Sequence, residues 1–353
     1  MHEDFTVPVE YVRPIADQLR SSGVNVEEWL HRNGLAREPA HLLPYPTFRG
    51  LVLDALESSR EPALGLFVGE RLVATTHGMV GFAAINSSTV KGALEIVERF
   101  SRLRISLFAI SHEIEDSMAR VRFDEVLPLG PIQRPLLEAV VLSIKNVLDA
   151  ATMGACQVHE VAFPFPAPEY APLAREMFGC KVTYGQDWAG FSAAREVLDA
   201  PLKLADPAAF QEAALICQRE LEQLTENETL GARVRRLLLE KQHRFPSLTV
   251  AARMLHVTPR TLHRRLVDEG TSYRAQLESV RHTLAVEHVS SGHFNMDEIA
   301  YRLGYTDLAN FRRAFKRWED VPPSVYRERK EAARRRAAST ETRKATGQRK
   351  RAP

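Results

Sequence analysis

Cysteine is scarce in this sequence, and the three residues present lie far apart. Cys156, Cys180 and Cys217 lack the close paired spacing of zinc sites and of disulfide frameworks. The twelve histidines share no ligand spacing with one another or with a cysteine. We therefore expect no metal and no other cofactor, and we expect the thiols to behave as small buried apolar side chains.

Long apolar runs are also missing. No stretch approaches the roughly 20 apolar residues that span a bilayer. The first ten residues carry Glu3 and Asp4, without the basic region and apolar core of a secretion signal. These features predict a cytoplasmic protein that does not associate with a membrane.

Catalytic motifs are missing too. The segment Gly65-Leu-Phe-Val-Gly69 lacks the lysine that follows in a phosphate-binding loop, and it lies in an apolar helical run, so helix packing explains its glycines better. Serine and histidine occur without the context of a nucleophile elbow. We predict no catalytic residues and a protein that is not an enzyme.

Charge is distributed unevenly along the 353 residues, although the formal net charge is only +2. Residues 1–240 carry a net charge of −10, residues 241–326 carry +4, and residues 327–353 carry +8. A chain of this length favours more than one domain. The distribution indicates that a polyanion is bound by the C-terminal third alone, although a basic tail can also serve solubility.

The periodicity of apolar residues changes near residue 200. Up to Ala200 it mixes helical and strand patterns, whereas from Asp206 onward nearly every segment is helical. The sequence predicts an α+β N-terminal domain and an all-α C-terminal domain. In the first, we expect helices capped by Thr47 and Thr89, a helix over 132–151, a hairpin of 105–114 with 119–123, and a strand over 158–163.

An internal repeat stands out between residues 247 and 326. The segment Ala252-Arg-Met-Leu255-His-Val-Thr258 aligns with Ala300-Tyr-Arg-Leu303-Gly-Tyr-Thr306. In each copy a short apolar helix precedes a tight turn, and a threonine then begins a basic helix, which is typical of a helix-turn-helix. Gly304 suits the left-handed turn position, and His256, in the matching place, enters that conformation more readily than most residues.

The faces of the two basic helices separate by chemistry, because residues three and four apart share a face. We expect Leu262 and Leu266 in the first helix, and Phe311, Phe315 and Trp318 in the second, to be buried. Solvated faces are the alternative explanation for the outward cations. Against it, the outward faces carry no acidic residue before Asp268, and Asp307 stands at a helix start, where a carboxylate serves as a cap. We predict that helices 259–268 and 307–318 bind DNA through Arg260, Thr261, His263, Arg264, Asn310, Arg312, Arg313 and Lys316.

A connecting helix is expected between the two units. Ser272 can cap it, and Leu277, Val280, Leu284 and Val289 recur at helical intervals. If this helix holds the two recognition helices about 34 Å apart, they enter successive major grooves on one face of a duplex. One chain would then bind an asymmetric site.

The C-terminal motifs resemble those of the AraC/XylS transcriptional regulators over some 80 residues. The matching segments are Val257-Thr-Pro-Arg-Thr-Leu-His-Arg-Arg-Leu266, Glu269-Gly-Thr-Ser272, Glu298-Ile-Ala300, Leu303-Gly-Tyr-Thr306, Asn310-Phe311, Phe315-Lys316 and Val321-Pro-Pro-Ser-Val-Tyr326. The resemblance implies a seven-helix domain that binds double-stranded DNA and an activator that contacts RNA polymerase.

The N-terminal half resembles the arabinose-binding-like sensor domain of ornithine-utilisation regulators. The matching segments are His77-Gly-Met-Val-Gly-Phe82, Arg122-Phe123, Val161-Ala-Phe-Pro164 and Phe178-Gly-Cys-Lys-Val182. The resemblance implies a small-molecule effector, whose identity and binding residues stay unknown. We expect an effector-sensing and dimerisation domain over 1–205, a helical linker over 206–232, the DNA-binding domain over 233–330 and a disordered basic tail over 331–353.

Two other functions stay open. The N-terminal domain of a ligand-independent regulator would only form a homodimer. A DNA-targeted alkyl-transfer enzyme would need a reactive thiol, for which Cys156 and Cys180 are the candidates, although neither lies in a Pro-Cys-His setting.

Overall fold

The computed structural model describes residues 5–35, 41–226, 228–242, 244–292 and 294–332. Most of the tail predicted for 331–353 therefore lies outside the described residues. The chain divides into two compact units, Met1–Asn227 and Glu228–Pro353. This division falls inside the segment predicted as a linker, and the helix that occupies most of that segment belongs to the first unit.

The first unit contains nine α-helices among its described residues, with short 3₁₀ turns between some of them. In chain order they are α1 (Val12–Ser21), α2 (Val26–Arg32), α3 (Tyr45–Ser59), α4 (Leu64–Arg71), α5 (Gly78–Ile85), α6 (Val90–Phe100), α7 (Gln133–Thr152), α8 (Ala171–Phe178) and α9 (Pro207–Glu226).

Seven strands form two sheets in the described part of the same unit. They are β1 (Thr6–Pro8), β2 (Leu42–Pro44), β3 (Phe108–Glu115), β4 (Met118–Glu125), β5 (Val158–Ala162), β6 (Lys181–Thr183) and β7 (Gly190–Ala194). β1 pairs with β2, and the larger sheet has the order β3-β4-β7-β5-β6. Only β5 and β6 in that sheet are parallel. The predicted α+β class is confirmed.

The caps expected in the first unit differ in outcome. Thr89 caps α6 as predicted, because its side chain accepts a hydrogen bond from the backbone N–H of Gly92. The cap predicted at Thr47 is wrong, since α3 begins earlier, at Tyr45. Pro46 in the first turn favours this start, because its fixed φ is helical and its missing N–H would have no partner there.

Two glycines allow α4 to lie directly against α7. A Cβ on Gly65 would lie 2.4 Å from the carbonyl oxygen of Pro135, and a Cβ on Gly69 would lie 2.8 Å from that of Ala139. Any larger side chain would therefore push the helices apart. Helix packing explains these glycines, as the sequence predicted.

A smaller cluster joins α9 to the rest of the first unit. Val80 and Ala83 of α5 pack with Phe100 of α6 and with Ala213 and Cys217 of α9, and all five are buried. The last helix before the second unit is thus held by apolar contact with α5 and α6.

Seven helices follow in the described residues of the second unit, as the resemblance implies. They are α10 (Leu230–Glu240), α11 (Leu248–Met254), α12 (Pro259–Asp268), α13 (Tyr273–Ser291), α14 (Met296–Arg302), α15 (Leu308–Glu319) and α16 (residues 323–332). No strand occurs in the parts of this unit that the structure describes. The predicted all-α class is confirmed.

Six consecutive helices of this unit, α10 to α15, begin at a side-chain cap. In each, the side chain of the residue before the helix accepts a hydrogen bond from the backbone N–H three positions later, which satisfies a donor that the helix leaves free. The cap predicted at Thr306 is wrong, because the Asp307 carboxylate takes this role. The capping residues are Thr229, Ser247, Thr258, Ser272, Asn295 and Asp307.

Within the described ranges, no helix is long and apolar enough to cross a membrane. In the same residues, no group of three or more His, Cys, Asp or Glu side chains is placed to hold a metal ion.

Candidate DNA-binding interface

The first helix-turn-helix consists of α11 and α12. His256 lies in the turn with a φ of 55°, in the left-handed region that the sequence predicted for it. Leu262 and Leu266 on the inner face of α12 are fully buried. The predicted inner face of this helix is confirmed.

The outer face of α12 is cationic. Arg260, His263 and Arg264 are exposed, and none of them forms an ion pair or a side-chain hydrogen bond with another described residue. Thr261 differs from the rest of the predicted set, because it is half-buried and its hydroxyl lies 2.8 Å from that of Thr258. Thr261 therefore takes part in the cap at the start of the helix.

The second helix-turn-helix consists of α14 and α15. Gly304 occupies its turn with a φ of 70°, so the two helix-turn-helix motifs match in backbone conformation at His256 and Gly304. Phe311 and Phe315 are fully buried on the inner face of α15. Trp318 is only partly buried, because it lies at the end of the helix beside α13, where its ring packs against His282 with centroids 5.1 Å apart.

Asn310 connects the helix cap to an outward arginine. Its Nδ2 donates to the Asp307 carboxylate at 2.6 Å, and its Oδ1 accepts from Nη2 of Arg313 at 2.7 Å. The Arg313 guanidinium is thereby oriented near the start of the helix. Arg312 and Lys316 are exposed and have no ion pair with any described residue.

Arg281 of α13 links the two helix-turn-helix motifs. Its Nη2 donates to the carbonyl oxygen of Gly304 in the second turn at 3.1 Å. Its guanidinium lies over the ring of Tyr305, 5.0 Å from the centroid, and over the ring of Phe245, 5.5 Å from the centroid. Phe245 comes just before α11. The Arg281 side chain therefore contacts both the beginning of the first helix-turn-helix motif and the turn of the second.

An ion pair and a close histidine–carboxylate contact hold α15 against α13. Arg317 donates to Glu278 at 3.0 Å, and Nε2 of His282 lies 2.6 Å from the Glu319 carboxylate. Arg317 is thus engaged on the side of α15 that faces α13. Arg312 and Lys316 of the same helix have no such partner among the described residues.

Further contacts fix the ends of the domain. The Glu269 carboxylate, at the end of α12, accepts from the backbone N–H groups of Leu230 and Gly231 at the start of α10. Arg327 of α16 donates to the carbonyl oxygens of Val289 and Phe294. Sequence reasoning missed Arg281, Glu278 and the Glu269 cap, because each acts across more than 20 residues and no periodic pattern marks it.

Two family models match the chain. One, described as the arabinose-binding domain of AraC transcription regulator, N-term, matches residues 23–202, and one described as a helix-turn-helix domain matches residues 251–329. The chain belongs to the AraC family. It is a DNA-binding transcriptional regulator, and its two described units correspond to the two matched domains.

Several known regulators match most of this chain's length. The ornithine utilization regulator of Pseudomonas aeruginosa is 33% identical over 326 residues, which cover 91% of this chain and 96% of that protein. The regulator VirS of Mycobacterium tuberculosis is 29% identical over 259 residues, covering 71% of this chain and 74% of its own. The crystal structure of the transcriptional regulator CdpR from Pseudomonas aeruginosa has a TM-score of 0.46 and 26% identity, with 90% of this chain and 98% of that chain covered.

Proposed function

We propose that this AraC-family regulator is an effector-responsive activator that reads successive major grooves with α12 and α15. The observation that carries the proposal is the same in both helices: the apolar face is buried, and the opposite face holds arginines without acidic partners among the described residues. Such arginines are available to phosphate and to base edges.

Individual side chains take different roles in this proposal. Arg264 and Arg313 donate to guanine edges, since an arginine fork matches the two acceptors of guanine in the major groove. Asn310 orients Arg313 and can turn its amide to adenine. Arg260, His263, Arg312 and Lys316 contact the phosphates that flank the bases, and Thr261 supports the start of α12.

The first unit supplies the regulation in this proposal. It binds a small-molecule effector and forms a homodimer, and the effector-bound protein contacts RNA polymerase at a promoter in the cytoplasm. The name of the ornithine utilization regulator makes ornithine one candidate effector to test.

Alkyl transfer is the weaker alternative. It needs a thiolate, and burial raises the pKa of Cys156 to about 11 and also raises that of Cys180. Both thiols therefore stay protonated at neutral pH. We propose that the protein is not an enzyme.

The test of DNA reading is a comparison of base preferences. Binding sites are selected from a random duplex library with the full-length protein, and the affinity for every single-base variant is then measured for Arg264→Ala and Arg313→Ala. Each change should cost about 1–3 kcal/mol and flatten the preference at one or two base pairs, in different halves of the site.

Arg274→Ala is the matched control, because Arg274 is exposed on α13 and lies on neither recognition helix. It should leave the pattern of base preference unchanged. Retention of the full wild-type preference in both Arg264→Ala and Arg313→Ala would contradict the proposed reading faces.

A further inference from the structure

The two recognition helices carry an arginine at the same position. Arg264 is the sixth residue of α12, and Arg313 is the sixth residue of α15. The third residue of each helix lies beside that arginine, because residues three apart are neighbours on a helix surface. This neighbour is Thr261 in α12 and Asn310 in α15. The two helices therefore differ in what lies next to an equivalent arginine.

The Asp307 carboxylate uses both of its oxygens at the start of α15. Its Oδ1 accepts from the backbone N–H of Asn310 at 2.6 Å, and this bond is the helix cap. Its Oδ2 accepts from Nδ2 of the Asn310 side chain at 2.6 Å, and Oγ1 of Thr306 lies 3.3 Å from the same nitrogen. With the nitrogen so engaged, the amide presents its oxygen to Arg313, whose Nη2 donates to it at 2.7 Å.

The bond to Asn310 leaves Arg313 able to read a guanine. An arginine presents two parallel N–H groups either from its end, through Nη1 and Nη2, or from its side, through Nε and Nη2. The two protons of Nη2 belong to different pairs, so the use of one proton leaves the other pair complete. Arg313 is exposed and has no ion pair with a described residue. Its guanidinium is held at one corner and open to a base edge elsewhere.

The described contacts of α12 include no equivalent arrangement. The cap of this helix is Thr258, whose single side-chain oxygen accepts from the backbone N–H of Thr261 at 3.1 Å. The hydroxyl of Thr261 lies 2.8 Å from that same oxygen and is therefore used within the cap. Arg264 forms no side-chain hydrogen bond with a described residue. Its guanidinium can move among rotamers that the bond to Asn310 denies to Arg313.

We propose that Asp307 and Asn310 are positioning residues for Arg313, and that they make the second motif read its base pair more strictly than the first. A free arginine can turn from guanine to an acceptor on a wrong base or on a phosphate, and so recovers part of the lost contact. Arg313 must first break its bond to Asn310. A mismatch therefore costs more in the half of the site bound by α15. This inference rests on the proposed reading of bases by Arg264 and Arg313.

The test measures discrimination, which is the ratio of the affinities of the full-length protein for the best and the second-best base at one position. Arg264→Ala and Arg313→Ala first identify the base pair that each arginine reads in the selected site. In the wild type, discrimination should be greater at the base pair of Arg313. Equal discrimination at the two base pairs, or greater discrimination at that of Arg264, would contradict the inference.

An exchange of the two residue pairs then tests the cause. Asp307→Thr combined with Asn310→Thr gives α15 the pair found in α12. Discrimination at the α15 base pair should fall about 3- to 10-fold, the range expected for the ordering of one long side chain. Thr258→Asp combined with Thr261→Asn gives α12 the pair found in α15. Discrimination at the α12 base pair should rise by a similar factor.

Asp307→Ser separates positioning from capping. Serine keeps one side-chain oxygen for the backbone N–H of Asn310, in the way that Ser247 and Ser272 cap α11 and α13. It lacks the second oxygen, which holds the Asn310 amide. The variant should therefore unfold close to the Tm of the wild type and still lose discrimination at the α15 base pair alone. A purely capping role would change Tm and leave discrimination as it is.

Asp297→Ser is the charge-matched control, because Asp297 is exposed on α14 and lies on neither recognition helix. Removal of an acidic side chain should raise the affinity for all duplexes alike and leave discrimination at both base pairs unchanged. A loss of discrimination in this variant as large as in Asp307→Ser would overturn the inference, since charge alone would then explain both.

Unchanged discrimination in both exchanged proteins would also overturn it. If the exchanged α15 does not fold, the exchanged α12 decides the question, because a rise supports the inference and no rise overturns it. The proposed reading of bases fails on a different result, which is retention of the wild-type preference in Arg264→Ala and Arg313→Ala. Those two variants are measured before any pair is exchanged, so the two failures are distinguishable.

Discussion

Glu138 is a carboxylate with no solvent exposure in the middle of α7. The hydroxyl of Tyr170 donates to both of its oxygens, at 2.9 and 3.0 Å, and Arg134 lies over the Tyr170 ring. Burial nevertheless dominates these favourable contacts and raises the pKa of Glu138 to about 7. The folded protein therefore holds a proton at Glu138 under conditions in which the unfolded chain has lost it.

This pKa makes the stability of the first unit depend on pH. Because the pKa is higher in the folded state, stability falls as the pH rises from about 4.5 through 7. Glu138→Gln has no proton to lose, so the wild type should lose on the order of 3 kcal/mol relative to this variant over that window. Urea unfolding of both proteins between pH 5 and 8 measures the difference. If the unfolding free energies of the two proteins changed in parallel between pH 5 and 8, the pKa of Glu138 would not be raised by folding.

Outward residues of the recognition helices were predictable from the sequence one by one. The 3.6-residue period separates Leu262 and Leu266 from Arg264, and exposure in the structure follows that division. The period cannot show what a polar side chain bonds to. Asn310 and Thr261 belong to the predicted set, and the structure shows both engaged at the caps of their helices.

At the scale of elements, the two helix-turn-helix units are local structures. Each depends on a cap, a left-handed turn residue and a short apolar helix within about 20 residues. The sequence indicated all of these features except the cap of α15, which is Asp307 rather than Thr306. Their connection is not local. Arg281 joins Phe245 and Tyr305, which are 60 positions apart in the chain.

Replacing Arg281 should affect the two helix-turn-helix motifs together. Arg281→Met keeps an apolar chain but removes the hydrogen bond to Gly304 and two contacts with aromatic rings, at a cost of about 1–3 kcal/mol in unfolding free energy. Affinity for the complete DNA site should fall more than affinity for either half. Thermal unfolding and titration of labelled duplexes measure the two effects.

Arg274→Met is the control on the same helix, since Arg274 is exposed and is expected to change neither quantity. Equal losses of affinity for the complete site and for its halves in Arg281→Met would contradict the linking role of Arg281.

For the whole molecule, the distribution of charge has a consequence for DNA binding. Residues 333–353 contain eight basic side chains and one acidic side chain. Basic side chains near DNA release counterions without regard to sequence. The segment should therefore add affinity for every duplex and preference for none.

A protein that ends at Ala332 tests this expectation. It should bind all duplexes more weakly, and the logarithm of its binding constant should fall less steeply with the logarithm of salt concentration. Base preferences should stay as in the full chain. A changed preference at any base pair would show that the segment reads sequence.

The sequence by itself determined the two-domain organisation, the α+β and all-α classes, the paired helix-turn-helix units and their cationic faces. These features depend on periodicity, caps and turns, which act between residues that are close in the chain. Only the tertiary structure decided the contact of α5 with α9 and the Arg281 link. Each of these brings together residues from distant segments, and the physical reason is that burial and pairing at such places depend on how helices pack rather than on local pattern.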